Sequence, residues 1–135
     1  MNYIVIILGV IVILLIYLLV QVLTATSVEL TSSANLNDDI TAISVRNNPT
    51  SSRYAYGLWI YVNSWDMGAT KTIFNRNENI KLYLDSSAPI LKCDITMSDD
   101  SVKSFEITDN FPLQKWVWII VSVDNQYVDS YLDGK

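Results

Sequence analysis

The side chains that most often carry catalysis are scarce in this sequence. Its 135 residues include no His, which excludes an imidazole base, a Ser–His pair and a His metal ligand. The three Glu residues, Glu29, Glu78 and Glu106, are far apart in the sequence, and Glu106 is followed by Asp109 only across the end of a predicted strand. We therefore predict no catalytic residue and no enzymatic activity, and the sequence implies no cofactor.

The charge of the chain bears on its partners, and its cysteine content bears on the compartment in which it folds. Every charged side chain follows residue 28, so the later part of the chain carries the whole net charge of −5. An acidic domain without a basic stripe is a poor ligand for nucleic acid, and we expect none as a partner. The single cysteine, Cys93, allows no intrachain disulfide, and the sequon at Asn48 is blocked by Pro49. Both features favour a domain that does not mature in an oxidising lumen.

The first 23 residues predict a transmembrane helix. About 21 residues at ~1.5 Å rise give about 30 Å, the thickness of the hydrocarbon core of a bilayer. A cleaved signal peptide would have a basic start and a shorter apolar core, and a buried helix of a soluble domain would have a polar face. No Lys or Arg flanks the span, so its orientation is not indicated. The predicted anchor comprises Tyr3, Ile4, Val5, Ile6, Ile7, Leu8, Val10, Ile11, Val12, Ile13, Leu14, Leu15, Ile16, Leu18, Leu19 and Val20.

The rest of the chain reads as β structure. Residues 24–39 are polar and predict a stalk with one edge strand at Ser27–Thr31, and residues 40–135 predict an antiparallel β-sandwich, a jelly roll that is either complete or incomplete. The predicted strands are Ile40–Val45, Tyr54–Val62, Thr72–Asn75, Ile80–Leu84, Ile90–Met97, Val102–Thr108, Trp116–Val123 and Tyr127–Leu132. The predicted core includes Tyr56, Leu58, Ile60, Ile119 and Val121.

The strand Trp116–Val123 is apolar on both faces. Its even-numbered face carries Trp116, Trp118 and Ile120, where a sheet that faces water normally has polar residues. One interpretation is that a second layer or loop of the same domain covers this face. The other is that a partner protein packs on these three residues, which are therefore our candidate interface.

Four segments, in order, resemble the concanavalin A-like (laminin G-like) lectin and glucanase superfamily. They are the aromatic strand Tyr54–Ile60, the segment Thr72–Arg76, the strand Ile80–Leu84, and a block from Leu113 to Lys135 with a Lys–Trp-led apolar strand and a Tyr–Leu–Asp–Gly–Lys hairpin. We expect Asp133–Gly134 to form a type I′ turn. The family usually continues with further strands beyond this hairpin, so we expect either a trimmed domain or part of a longer protein.

The resemblance implies two kinds of ligand. Some family members bind calcium through loop carboxylates, for which Asp66, Asp99, Asp100 and Asp109 are candidates here. We interpret these as solvated turn residues and predict no metal site. Lectins of the family bind sugars on aromatic platforms, and Tyr61, Trp65, Tyr83 and Tyr127 are candidates, although most aromatic residues of a sandwich pack in its core.

A membrane helix joined to such a domain also resembles membrane-anchored virion proteins of large icosahedral DNA viruses with an internal lipid layer. This resemblance implies a minor virion component in the inner membrane, with its β domain facing a capsid-like protein shell. The expected partners are then the bilayer and other structural proteins. A membrane-tethered, lectin-like protein that binds glycans is the alternative.

Overall fold

The computed structural model describes residues 3–24, 27–38, 40–44, 52–77 and 79–135. The chain divides into two compact units, Met1–Ser44 and Val45–Lys135. The first contains helix α1, Tyr3–Thr24. By length and composition the stretch Tyr3–Leu23 is able to cross a membrane, and none of it is buried within the protein. Its β-branched residues are weak helix formers in water, but in lipid the helix satisfies every backbone hydrogen bond internally.

The second unit contains seven strands among the described residues. They are β1 (Arg53–Tyr61), β2 (Lys71–Arg76), β3 (Ile80–Leu84), β4 (Leu91–Thr96), β5 (Val102–Thr108), β6 (Trp116–Asp124) and β7 (Tyr127–Leu132). They form two antiparallel sheets, one of three strands in the order β1-β6-β7 and one of four in the order β2-β3-β4-β5. The predicted sandwich architecture is therefore confirmed. The neighbouring strands β1 and β6 are separated in the chain by β2 to β5, which form the other sheet.

The core lies between the two sheets, and side chains at every second position of β3, β4 and β6 fill most of it. In β6, Val117, Ile119, Val121 and Val123 are buried, and β3 and β4 contribute every second residue in the same way. Phe111, in the segment before β6, is the largest of the fully buried side chains. Because strand side chains alternate between faces, the residues between these must point away from the core.

Two tyrosines of β1 connect the rims of the sheets. Tyr56 accepts a 2.6 Å hydrogen bond from Nη1 of Arg76, and Tyr54 accepts a 3.0 Å hydrogen bond from Nδ2 of Asn79. Their rings pack against the core while their hydroxyl groups reach these polar partners. This explains why Tyr56, predicted as a core residue, is only partly buried.

The predicted core and strands agree closely with the structure, with two exceptions. Ile60, Ile119 and Val121 are buried, whereas Leu58, like Tyr56, is partly buried against the core. No strand forms at Ser27–Thr31, although its apolar residues alternate with polar ones, or at residues 40–44; the last residue of the second predicted strand lies outside the described residues. Their apolar side chains are exposed, and neither stretch belongs to one of the two sheets that the structure describes.

Candidate binding surface on the three-stranded sheet

The outward-facing side of the three-stranded sheet is largely aromatic. The register of β1 and β6 places Trp59 opposite Trp118 and Tyr61 opposite Trp116, and the register of β6 and β7 places Ile120 opposite Tyr131. These side chains alternate with buried or partly buried residues along each strand, so they share one surface. We call this surface the aromatic face, and it consists of Trp59, Tyr61, Trp116, Trp118, Ile120 and Tyr131.

Two ring pairs organise the aromatic face. The centroids of Trp59 and Trp118 are 5.1 Å apart with an interplanar angle of 40°, and those of Tyr61 and Trp116 are 5.6 Å apart at 53°. These distances fall in the range of favourable aromatic contacts. The rings remain accessible, because Trp59 is 61% exposed and Trp116 is 63% exposed. No described part of the chain therefore covers these two indoles.

Gly57 determines where the ring of Trp118 lies. A Cβ atom at Gly57 would lie 2.8 Å from Cζ2 and 2.9 Å from Cη2 of Trp118. Real carbon atoms do not approach so closely without displacement, so the indole occupies space that only glycine leaves free. This contact lays the Trp118 ring across β1 and makes it half-buried, unlike its neighbours Trp59 and Trp116.

Asp133 fixes the backbone of Trp118 from the side of β7. The Trp118 N–H donates to Oδ1 of Asp133 at 2.9 Å, and the Asp133 N–H donates to the Trp118 carbonyl oxygen at 2.9 Å. The first of these bonds, with a smaller effect from Lys115, lowers the pKa of the Asp133 carboxyl group below its usual range. The carboxylate thus holds the backbone of Trp118 in place beside the end of β7.

The turn that holds Asp133 has the predicted geometry. Asp133 and Gly134 have φ values of 49° and 81°, and Leu132 and Lys135 exchange two backbone hydrogen bonds of 3.0 Å. Positive φ at both central residues defines a type I′ turn, which confirms the prediction for this hairpin.

The outward side of the four-stranded sheet has a different character. Asp94 accepts hydrogen bonds from the hydroxyl groups of Tyr83, at 3.1 Å, and Ser104, at 2.5 Å. Lys92 pairs with Asp85 on the same side of the domain. Burial, and next the bond to Asp94, raise the pKa of the Tyr83 hydroxyl. These polar groups are one another's hydrogen-bond and ion-pair partners. The outer side of the four-stranded sheet is therefore polar, whereas that of the three-stranded sheet is aromatic.

A family model described as the concanavalin A-like lectin/glucanases superfamily matches residues 32–135. The chain belongs to this superfamily. The match extends beyond residues 54–135, which carry the sequence resemblance, and it agrees with the two antiparallel sheets. Comparisons with curated proteins and with solved structures give no match.

The candidate sugar platform of this concanavalin A-like domain is not a single surface. Tyr61 lies on the aromatic face, and Tyr127 is exposed on the same side of the sheet at the far end of β7. Tyr83 lies on the outer side of the other sheet. Trp65 packs against the core, with Nζ of Lys71 4.1 Å from its ring centroid.

The candidate calcium carboxylates are likewise dispersed. Oδ1 of Asp66 lies 3.4 Å from Nζ of Lys71, and Asp99 accepts hydrogen bonds from the backbone and hydroxyl of Ser101. Asp109 lies in a separate turn after β5. In the part of the chain that the structure describes, no three His, Cys, Asp or Glu side chains form a group that could hold a metal ion.

The structure places the predicted interface residues together and enlarges the set. Trp116, Trp118 and Ile120 do share one surface, on which Trp116 is exposed and the other two are half-buried. Trp59 and Tyr131 also belong to this surface, and the sequence did not indicate them because their membership depends on strand register. Gly57 is the signal that could have indicated Trp59. A glycine inside a strand often marks the close approach of another group, here the ring of Trp118. Trp59 lies two residues after Gly57 and therefore on the same face of β1.

Proposed function

We propose that this protein is a membrane-tethered structural protein that binds another protein through its aromatic face. The observation that carries this proposal is the exposure of Trp59 and Trp116 on a sheet whose opposite side forms the core. Trp and Tyr are enriched among the residues that dominate protein–protein binding energy. The proposed role is binding, and it requires neither catalysis nor a cofactor.

The aromatic face is suited to a partner that excludes water from it. Large aromatic side chains bury roughly 150–250 Å² each, and burial contributes ~25 cal/mol per Å² before ordering is subtracted. Gly57 and the ring of Trp59 limit the space open to Trp118, and Asp133 holds its backbone. A surface held in this way loses little conformational freedom when a partner binds.

Helix α1 gives the interaction its location. Its 22 residues, at ~1.5 Å per residue, measure about 33 Å and match the thickness of a bilayer's apolar core. We propose that α1 anchors the chain in that bilayer. A tether raises the effective concentration of the domain near a partner that lies against the same membrane, so a moderate contact becomes a stable link.

The resemblance to membrane-anchored virion proteins favours one such arrangement. In it, α1 lies in an internal virion membrane and the β domain joins that membrane to a capsid-like shell. The domain would then be a minor structural component, present where membrane and shell approach each other.

Substitutions on the two outer sides of the sandwich test the proposal. Trp59→Ser and Trp116→Ser remove exposed side chains and should leave the fold intact, but each should reduce co-sedimentation of the full chain with its parent assembly. Val102→Ser is the matched control, because Val102 is 57% exposed on the outer side of the four-stranded sheet. If both Trp variants assemble as well as the control, the aromatic face is not the binding surface.

Glycan binding is the second candidate, and the same surface favours it. The indoles of Trp59 and Trp116 are accessible to stacking, and the chain belongs to a superfamily that includes lectins. A glycan array probed with the detergent-solubilised chain separates the candidates. Saturable binding that Trp116→Ser abolishes would favour the lectin-like role over the structural one.

A further inference from the structure

Three carboxylates lie beside the aromatic face, and they differ in whether they have a hydrogen-bond or ion-pair partner. Asp124 pairs with Nε of Arg53 at 2.8 Å, and Asp133 accepts a hydrogen bond from the Trp118 N–H and lies 3.4 Å from Nζ of Lys115. Asp129 is exposed on the same side of the sheet and makes no hydrogen bond or ion pair with any residue the structure describes. It is therefore the carboxylate here that remains open to an external cation.

Asp129 lies within reach of a molecule that covers the aromatic face. It is opposite Ser122 in the sheet and two residues before Tyr131, which is opposite Ile120. Residues two apart along a strand share a face and are about 7 Å apart. A bound chain that contacts Ile120 and Tyr131 can thus place its next side chain beside Asp129.

Given this geometry and the binding role proposed above, we propose that the partner presents a basic segment, with an Arg or Lys side chain paired to Asp129 and apolar side chains over Trp59 and Trp116. The charge of the chain, −5, supports this chemistry. A guanidinium group pairs with a carboxylate through two parallel hydrogen bonds, so Arg suits Asp129 better than Lys does.

The same arrangement discriminates against other occupants. An apolar or acidic partner that covers Asp129 would leave a desolvated, unpaired charge, which opposes binding. A second copy of this acidic chain, or an anionic lipid surface, would bring further negative charge to the same place. The unpaired carboxylate therefore selects for positive charge, while the aromatic rings supply most of the contact area.

Peptide binding to the full chain in neutral detergent micelles tests this inference. The probes are two fluorescein-labelled octapeptides, one alternating Leu and Arg and the other alternating Leu and citrulline, which is a neutral analogue of Arg of nearly the same shape. We expect fluorescence anisotropy to show tighter binding of the Arg peptide by about fivefold at low salt, as for a partly exposed ion pair. The preference should weaken in high salt.

Two matched variants decide whether Asp129 is responsible. Asp129→Asn should abolish the preference for the Arg peptide, whereas Asp109→Asn removes the same charge from a distant turn and should keep it. If Asp129→Asn retains the preference, or Asp109→Asn reduces it equally, the inference is wrong. Circular dichroism should show both variants folded, because both side chains are exposed and neither makes a hydrogen bond or ion pair with a residue that the structure describes.

A third variant separates this inference from the proposed function. Trp116→Ser should weaken both peptides. If it does so while Asp129→Asn changes neither, the aromatic face binds a partner but does not select for charge, which overturns the inference alone. If Trp116→Ser changes neither peptide, the inference and the proposed function fail together.

Discussion

Replacing Gly57 by Ala tests the geometry of the aromatic face. The new Cβ would lie 2.8 Å from Cζ2 and 2.9 Å from Cη2 of Trp118, well inside the ~3.5–4.0 Å separation of carbon atoms in contact. The backbone of β1 does not need to move, because these atoms are at the far edge of a side chain that is only half-buried. The indole should therefore swing outward, away from β1.

The expected change in stability is small because two effects oppose each other. Moving a side chain about 30° from its preferred rotamer costs roughly 0.5–1.5 kcal/mol. Alanine in a strand is favoured over glycine by roughly 0.5–1 kcal/mol, through the entropy of the unfolded chain. The free energy of unfolding should thus change by less than about 1 kcal/mol, while the position of the Trp118 ring changes clearly.

Spectroscopy and a double-mutant cycle measure these two consequences. The close pair of Trp59 and Trp118 should give a coupled indole signal in circular dichroism, which Gly57→Ala should diminish. In a Trp118→Ala background the clash is absent, so Gly57→Ala should stabilise the domain by about 0.5–1 kcal/mol. An unchanged indole signal together with zero coupling energy would show that Trp118 does not lie over Gly57.

Three further predictions address the core, the anchor and an ion pair. Ile119→Ala should lower the free energy of unfolding by roughly 2–5 kcal/mol in urea titrations, because Ile119 is fully buried; a loss below about 1 kcal/mol would contradict its place in the core. Ile11→Arg should weaken membrane insertion by on the order of 3 kcal/mol, measured as release by alkaline carbonate, which should leave the parent chain in the membrane fraction; carbonate release of the parent chain would refute the anchor. Hydrogen bonds from Lys92 and Ser87 lower the pKa of Asp85 below the ~3.9 of the unfolded chain, so its stabilisation is present above about pH 4 and is lost as the pH falls further. Asp85→Asn should therefore reduce the acid sensitivity of unfolding between pH 6 and pH 3, and an unaltered pH profile would exclude this contribution.

Local patterns were sufficient to predict most of the strands. Three of them, Ile80–Leu84, Val102–Thr108 and Tyr127–Leu132, have the predicted bounds. Period-two alternation and turn residues such as Asp133–Gly134 act within a few residues, so they can be read directly from the sequence. The type I′ turn shows how specific this information can be.

Pairing between strands joins residues that are far apart in the chain, so local sequence patterns did not predict which stretches pair. Residues 27–31 have the alternation of a short strand, yet in the structure as described they belong to neither sheet, and the same holds for residues 40–44. An isolated stretch of alternating residues cannot satisfy its backbone groups as a strand does. Strand existence therefore depended on a neighbour that local pattern does not specify.

The aromatic face was predicted in part for the same reason. The two apolar faces of β6 indicated Trp116, Trp118 and Ile120 as residues that require cover. Trp59 precedes Trp118 by 59 positions in the chain, and only the antiparallel register of β1 and β6 joins them. The pattern also could not show whether Trp116, Trp118 and Ile120 are exposed, since a second layer of the same domain would explain an apolar face as well as a partner protein does.

Hydroxyl-radical footprinting of the chain in its native assembly tests the central claim most directly. The comparison is between that assembly and the same chain purified in detergent, with oxidation of each peptide measured by mass spectrometry. If a partner binds the aromatic face, Trp59 and Trp116 should be protected in the assembly, while Met97, exposed beyond the end of β4 in the other sheet, should be oxidised equally in both samples. Equal oxidation of Trp59 and Trp116 in the two samples would show that the face stays open to water and would contradict the account.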